Sequence, residues 1–209
     1  MLSYEKLRAM ADASGFAASP RNAVRLAPGS GVPRAKDVVA WRLGADAARA
    51  LRAQEALGAK PIANLRLTEL AGVERRALEE RSPVPGISFA LDNGATKSKV
   101  VLKPKSETGR RFALARILGD RLVASGAGKL FPATRAYTYR QKMQRSFAAE
   151  FLSPFEAIDD MMEGDYSLEN QQDTAEHFNV SPLTIRTLLV NHQRIEREQL
   201  DEEPDLVAA

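Results

Sequence analysis

The run DVVAWRLGADAARALRAQEAL, residues 37 to 57, repeats apolar residues at Val39, Leu43, Ala47 and Leu51, with Gly58 just beyond. Apolar positions at that interval share one helical face and a glycine suits the end of the last turn, so the spacing predicts a long amphipathic helix. RRFALARILGDRLVAS repeats the pattern with Phe112, Ala115, Leu118 and Leu122 on one face and arginines elsewhere, and TYRQKMQRSFAAEFL does so with Met143, Phe147, Ala148 and Phe151. Both predict core helices. Pro154 ends the second at Leu152 or Ser153, and SPFEAIDDMMEG opens a further helix with Ser153 as cap and Pro154 in its first turn.

The period changes once. VPGISFALDNGATKSKVVLKP, residues 84 to 104, holds two runs of strand formers, Ile87 to Leu91 and Lys99 to Leu102, around a turn containing Asp92, Asn93 and Gly94. This predicts a β-hairpin. Upstream, residues 1 to 12 suit a short helix, and PIANLRLTELAGVERRALEER suits two short helices about Gly72. Residues 13 to 35 are rich in Ala, Ser, Gly and Pro without sustained period, which predicts a loosely ordered arm. SLENQQDTAEHF and SPLTIRTLLVNHQRIEREQL suit two helices about Asn179 and Val180, followed by an acidic end expected to fray. The expected architecture is α+β and mostly helical, with a small antiparallel sheet packed on the helix at 109 to 122. The expected division is an arm at 1–36, a main domain at 37–152, a C-terminal helical subdomain at 153–200 and a tail at 201–209.

Composition narrows the chemistry. Hydrophobic residues at 44% and charged residues at 27% are those of a globular chain, not a disordered or fibrous one. The absence of cysteine removes disulfides, thiolate catalysis, Cys-based zinc sites and iron–sulfur clusters, and His177 and His192 alone are little material for a metal site. Glu5, Lys6 and Arg8 stand where a secretory signal needs apolar residues, and no stretch approaches the roughly 18 apolar residues of a membrane span, so a cytoplasmic, non-membrane protein is expected. The net charge of +3 conceals a split: residues 1 to 150 carry 27 Lys and Arg against 13 Asp and Glu, and the remainder carries 3 against 14. Such a split suits a basic surface for nucleic acid or for an acidic partner, or an acidic segment that neutralises its own domain.

G-x-S-x-G, Walker A, G-x-G-x-x-G and H-E-x-x-H sequences are all missing. DTAEHFNVSPLTIRTLLVN has helix-turn-helix grammar, but Arg186 is the one cation of its second helix, and DNA affinity rests on phosphate neutralisation. A helical pair packed on the core suits it better. LTELAGVERRALEER has the same grammar with Arg75 and Arg76, diluted by Glu74, Glu79 and Glu80.

Three blocks in order, GRRFALARILGDRL, RQKMQRSFAAEFLSP and EHFNVSPLTIRTLL, resemble the ImmA/IrrE family of metallopeptidase-like proteins. ARALRAQEALGAKPIANLRLTELAGV resembles that family's opening helix and connector, so the likeness spans approximately residues 48 to 192, with FAAEFLSP its most specific piece. The resemblance implies a zincin-like domain in which a strand pair leads into a helix bearing R-R-F-x-x-A-H-E-x-x-H, with an acid in the next helix as third zinc ligand. Two imidazoles at i and i+4 bind zinc there, and the intervening Glu takes a proton from the metal-bound water. This chain departs from the pattern: Arg116 replaces the first His, Ile117 the Glu and Asp120 the second His, and TYRQKMQRS offers no acid.

What the resemblance then implies is a degenerate, regulatory member without metal or cofactor, in bacterial stress-response, prophage or toxin–antitoxin regulation. Its expected partner is a protein with an acidic surface or segment, held by Arg110, Arg111, Arg116, Arg121, Arg140 and Arg145. Arg116 and Asp120 also suit an i,i+4 ion pair on an exposed face, and the arginines could pair with the chain's own acidic segment. Two alternatives stand beside this: a hydrolase with a rearranged site using Asp120, Glu107 and Glu150, and a DNA-associated regulator using the basic half.

Overall fold

A computed structural model describes residues 3–32, 38–81, 86–94, 96–123 and 129–200. In chain order these form α1 (Tyr4–Ser14), β1 (Phe16–Ala18), α2 (Ala40–Gln54), α3 (Asn64–Ala71), α4 (Arg76–Glu79), β2 (Ser88–Asn93) and β3 (Lys97–Val101). There follow α5 (Glu107–Val123), β4 (Leu130–Ala133), α6 (Tyr139–Leu152), α7 (Phe155–Met162), α8 (Leu168–Phe178), α9 (Pro182–Asn191) and a 3-10 turn, η1 (Arg197–Leu200). The fold is α+β and mostly helical, with a four-stranded antiparallel sheet, as the periods predict.

The centre is the meeting of α2, α5 and α6. Small residues set their spacing: a Cβ on Gly44 of α2 would stand 2.8 Å from the main-chain nitrogen of Phe147 and closer still to the carbonyl of Met143. A Cβ on Gly119 of α5 would stand 2.5 Å from the Phe147 ring. Phe147 is fully buried and stacks on Phe151 at 5.2 Å between ring centroids. Thr138 caps α6 by accepting from the Gln141 N–H.

The sheet runs β1-β3-β2-β4. The β2–β3 hairpin pairs Phe89 with Val101 and Leu91 with Lys99, in the region expected from the strand formers. Two further strands complete it. β1 pairs Phe16 with Val100, so the segment expected as a loosely ordered arm supplies an edge strand, whose three residues are too few to show alternation. β4 pairs Phe131 with Ala90 and contains Pro132, which an edge strand tolerates because its outward side needs no ladder N–H.

Both edges are closed. Beyond β1, Ala17 exchanges main-chain and side-chain hydrogen bonds with Glu74, and Ser19 donates to the Gly72 carbonyl. Beyond β4, side chains of α5 and α6 take the outward groups. Arg140 donates to the Leu130 carbonyl, Gln141 and Gln144 to that of Pro132 and Arg116 to that of Thr134, while Gln141 accepts from the Thr134 N–H.

One large apolar cluster joins Phe16, Leu51, Leu114, Phe147 and Phe151 to Phe155, Ile158, Phe178, Ile185 and Leu189. Residues after 153, the span of the expected C-terminal helical subdomain, contribute to this same cluster. Ser153 does not cap α7; Pro154 holds that position, and the Ser153 hydroxyl donates to the Ala149 carbonyl inside α6. Ser167 and Ser181 cap α8 and α9, and Asn179 adopts a left-handed conformation between them. No helix among the described residues is long and apolar enough to cross a membrane. The tail at 201–209 lies outside the described residues.

Candidate binding cleft

The six arginines expected to form one exposed face do not do so. Arg110 is buried and donates to the carbonyls of Leu78 and Lys105; Arg111, almost fully buried, donates to those of Ile62 and Asn179 and to the Asn64 side chain. Arg121 binds Asp92 at 2.5 Å and Ser98 at 2.9 Å beneath the sheet. Arg140 grips Asp120 in a bidentate pair at 2.7 and 2.6 Å, with Asp120 fully buried and Arg140 half-exposed. Arg116 and Asp120 therefore form no surface ion pair with each other; each reaches α6 separately.

Arg116 is buried as well, but its side chain borders a cleft. Its guanidinium donates to Gln141 at 2.5 Å and to Gln144 at 3.2 Å, while its Nε is buried without a partner. Burial, and then the nearby charge of Arg145, lower its pKa to about 10, which leaves it cationic at neutral pH. With Arg145 it lines a cleft of about 800 Å³ at one end of the sheet. Strand ends around Ser88 and Thr134, the first half of α5, the middle of α6 and the length of α9 make its walls, and Trp41 of α2 stands at it more than half exposed.

The cleft's charge is one-sided. Lys103, Lys105, Arg116, Arg135, Lys142 and Arg145 line it, and no acidic residue does so among the described residues. Phe112, Ala149, Leu183 and Leu188 supply apolar surface between them. Clustered cations over apolar walls attract an anionic ligand that also carries hydrophobic groups, and the guanidinium forks bind carboxylate in bidentate geometry. Four of the six cations were not singled out by sequence reasoning. They are spread over the β3–α5 segment, the residues after β4 and α6, so no single stretch of sequence joins them.

The residues do not fit a zinc ion at the positions the resemblance points to. The carbonyl and amide oxygens facing α5 are taken by the Arg116 guanidinium, both oxygens of Asp120 are taken by Arg140, and Ile117 is packed in the core. Among the described residues no three His, Cys, Asp or Glu side chains converge. The acids of the hydrolase alternative are also dispersed. Asn64 and then Asn179 hold the Glu107 carboxyl below the usual range, burial pushes Glu150 upward beside Arg49, and neither Glu107, Glu150 nor Asp120 lines the cleft. His192 stacks on Phe155 at 3.5 Å between centroids, and burial lowers its pKa; His177 meets Phe178 edge-on. Arg186 of the helix-turn-helix reading is buried and donates to Gln171.

No family model matches the chain, and no curated protein or solved structure matches it either.

Proposed function

We propose that this chain is a metallopeptidase-like regulatory module of the ImmA/IrrE kind that recognises an acidic segment of a protein partner in the cleft, without hydrolysing it. The observation that carries the reading is the lining: six cations, no described acid and an apolar floor in one concavity. The departures at Arg116, Ile117 and Asp120 support binding over hydrolysis, because a guanidinium, a core aliphatic and a neutralised carboxylate can neither hold zinc nor activate water. The contact set shifts from the arginines expected on the two helices to Arg116 and Arg145 with Lys103, Lys105, Arg135 and Lys142. A regulatory role in stress response, prophage control or toxin–antitoxin systems rests on the resemblance alone.

Titration of the protein with a fluorescein-labelled peptide of four acidic residues followed by two leucines tests this by anisotropy. Binding is expected, weakening as salt rises, and lost by at least tenfold in the variant Lys103→Glu, Lys142→Glu, Arg145→Glu that keeps its circular dichroism spectrum. Peptide cleavage, or unchanged affinity in the variant, would overturn the reading. A single-stranded oligonucleotide that binds more tightly than the peptide at equal salt would replace it with the nucleic-acid alternative.

A further inference from the structure

We infer that the cleft reads an extended segment of its partner with acidic residues on both sides of an apolar one, in the order acid-x-apolar-x-acid. The inference rests on the reading that the cleft takes acidic segments, and adds the spacing such a segment must have.

The six cations of the cleft fall into two groups. Lys103 and Lys105 form the first, between β3 and α5: the Lys103 N–H donates to the Ser88 hydroxyl at the start of β2, and the Lys105 carbonyl accepts from Arg110 in the first turn of α5. Arg116, Arg135, Lys142 and Arg145 form the second. Arg116 donates to the carbonyl of Thr134, beside Arg135, and to the side chain of Gln141, beside Lys142. Arg145 donates to the Ala136 carbonyl, with its guanidinium over the Tyr137 ring.

Two independent distances separate the groups. Along α5, the rise from Glu107 to Arg116 is about 13 Å. Across the sheet, the order β1-β3-β2-β4 sets β2 between the strand leading to Lys103 and the strand leading to Arg135, so those strand ends stand two spacings apart, about 10 Å. The surface between the groups is apolar: Phe112 and Ala113 occupy the middle of that stretch of α5, and Ala149 and Leu188 line the cleft with them. The chain's own nearby acids are committed elsewhere. Glu107 accepts from Asn64 and Asn179, and Asp120 gives both oxygens to Arg140.

An extended chain advances about 3.3 Å per residue and turns alternate side chains to one face, so residues i and i+4 lie about 13 Å apart on the same side with i+2 between them. Acids at i and i+4 then reach the two groups, and an aliphatic side chain at i+2 meets Phe112 and Leu188. A run of neighbouring acids satisfies one group only. Its other carboxylates would lie over apolar surface, where their desolvation is not repaid.

Two fluorescein-labelled peptides of one composition test the spacing by anisotropy. Glu-Glu-Ser-Leu-Ser-Glu-Glu sets Leu between two acidic pairs, and Glu-Glu-Glu-Glu-Ser-Leu-Ser gathers the acids at one end. Equal net charge gives the two the same long-range attraction at a given salt concentration, so a difference in affinity reports placement. The divided peptide is expected to bind the wild-type chain about tenfold more tightly. Lys103→Gln with Lys105→Gln should cut that preference to within about twofold, and so should Lys142→Gln with Arg145→Gln, each in a protein that keeps its circular dichroism spectrum. Equal affinity for the two peptides, tighter binding of the gathered one, or a preference that survives both double variants would overturn the spacing while leaving the cleft's taste for acidic segments standing. Failure of both peptides to bind would remove the two readings together.

Discussion

Arg52, Arg110 and Arg111 are held chiefly by main-chain carbonyls rather than by carboxylates. Arg52 donates to Gly58, Lys60 and Phe151, and burial lowers its pKa to about 10. A guanidinium presents five donors in a planar fork, so it can tie several loop carbonyls to a helix from one position. Nothing in the side-chain sequence encodes where those carbonyls lie. This is why the arginine-rich helices look like an exposed binding face when read from sequence, and why only Arg116 and Arg145 of that set reach the cleft. The buried acid Glu150 behaves differently. One of its oxygens accepts from Arg49 at 3.0 Å, the other has no partner, and burial raises its pKa above the ordinary 4.5. A raised carboxyl pKa means that folding favours the protonated form, so its stability contribution is complete below about pH 4.5 and is lost as pH rises through the raised value. Glu150→Gln should therefore raise the melting temperature at pH 7 by about 2–4 °C, corresponding to ~1 kcal/mol, with no gain at pH 4. Thermal melts across pH 4 to 8 check both the sign and the window.

The helices that meet at Phe147 were legible because their apolar period is long and regular, and so was the β2–β3 hairpin with its turn residues. β1 and β4 were not: three residues cannot show alternation, and Pro132 argues against a strand unless its edge position is known. The close approach of α2 to α6 is also invisible in the sequence, since a helical glycine alone reads as a weakness. Exchange of Gly44 for alanine improves helix propensity by about 1 kcal/mol, but its methyl group would meet the main chain of α6, which cannot rotate away. Overpacking of a rigid contact costs typically about 1–3 kcal/mol, and a main-chain contact this short belongs at or beyond the upper end. Gly44→Ala is expected to destabilise the protein by about 2 kcal/mol net, measured as a lower urea midpoint. An unchanged or higher midpoint would show that α2 can slide on α6.

At the scale of the molecule, one large apolar cluster runs from the N-terminal strand to α9, so the elements it joins should unfold together. Circular dichroism and Trp41 fluorescence are expected to report one coincident urea transition; two separated transitions would show that part of the helical shell unfolds on its own. The mutual dependence of sheet and helices has a consequence in time. The outer groups of β4 are satisfied by Arg116, Arg140, Gln141 and Gln144, three of which belong to α6. On a ribosome adding about 5–20 residues per second, the remainder of α6 follows β4 only after roughly one to four seconds. During that interval a nascent sheet presents an unguarded edge to any neighbouring chain, and the hazard ends when α6 arrives. The glutamines and arginines that quiet the finished protein thus set a period of exposure during its synthesis, one that slower translation through α6 would lengthen.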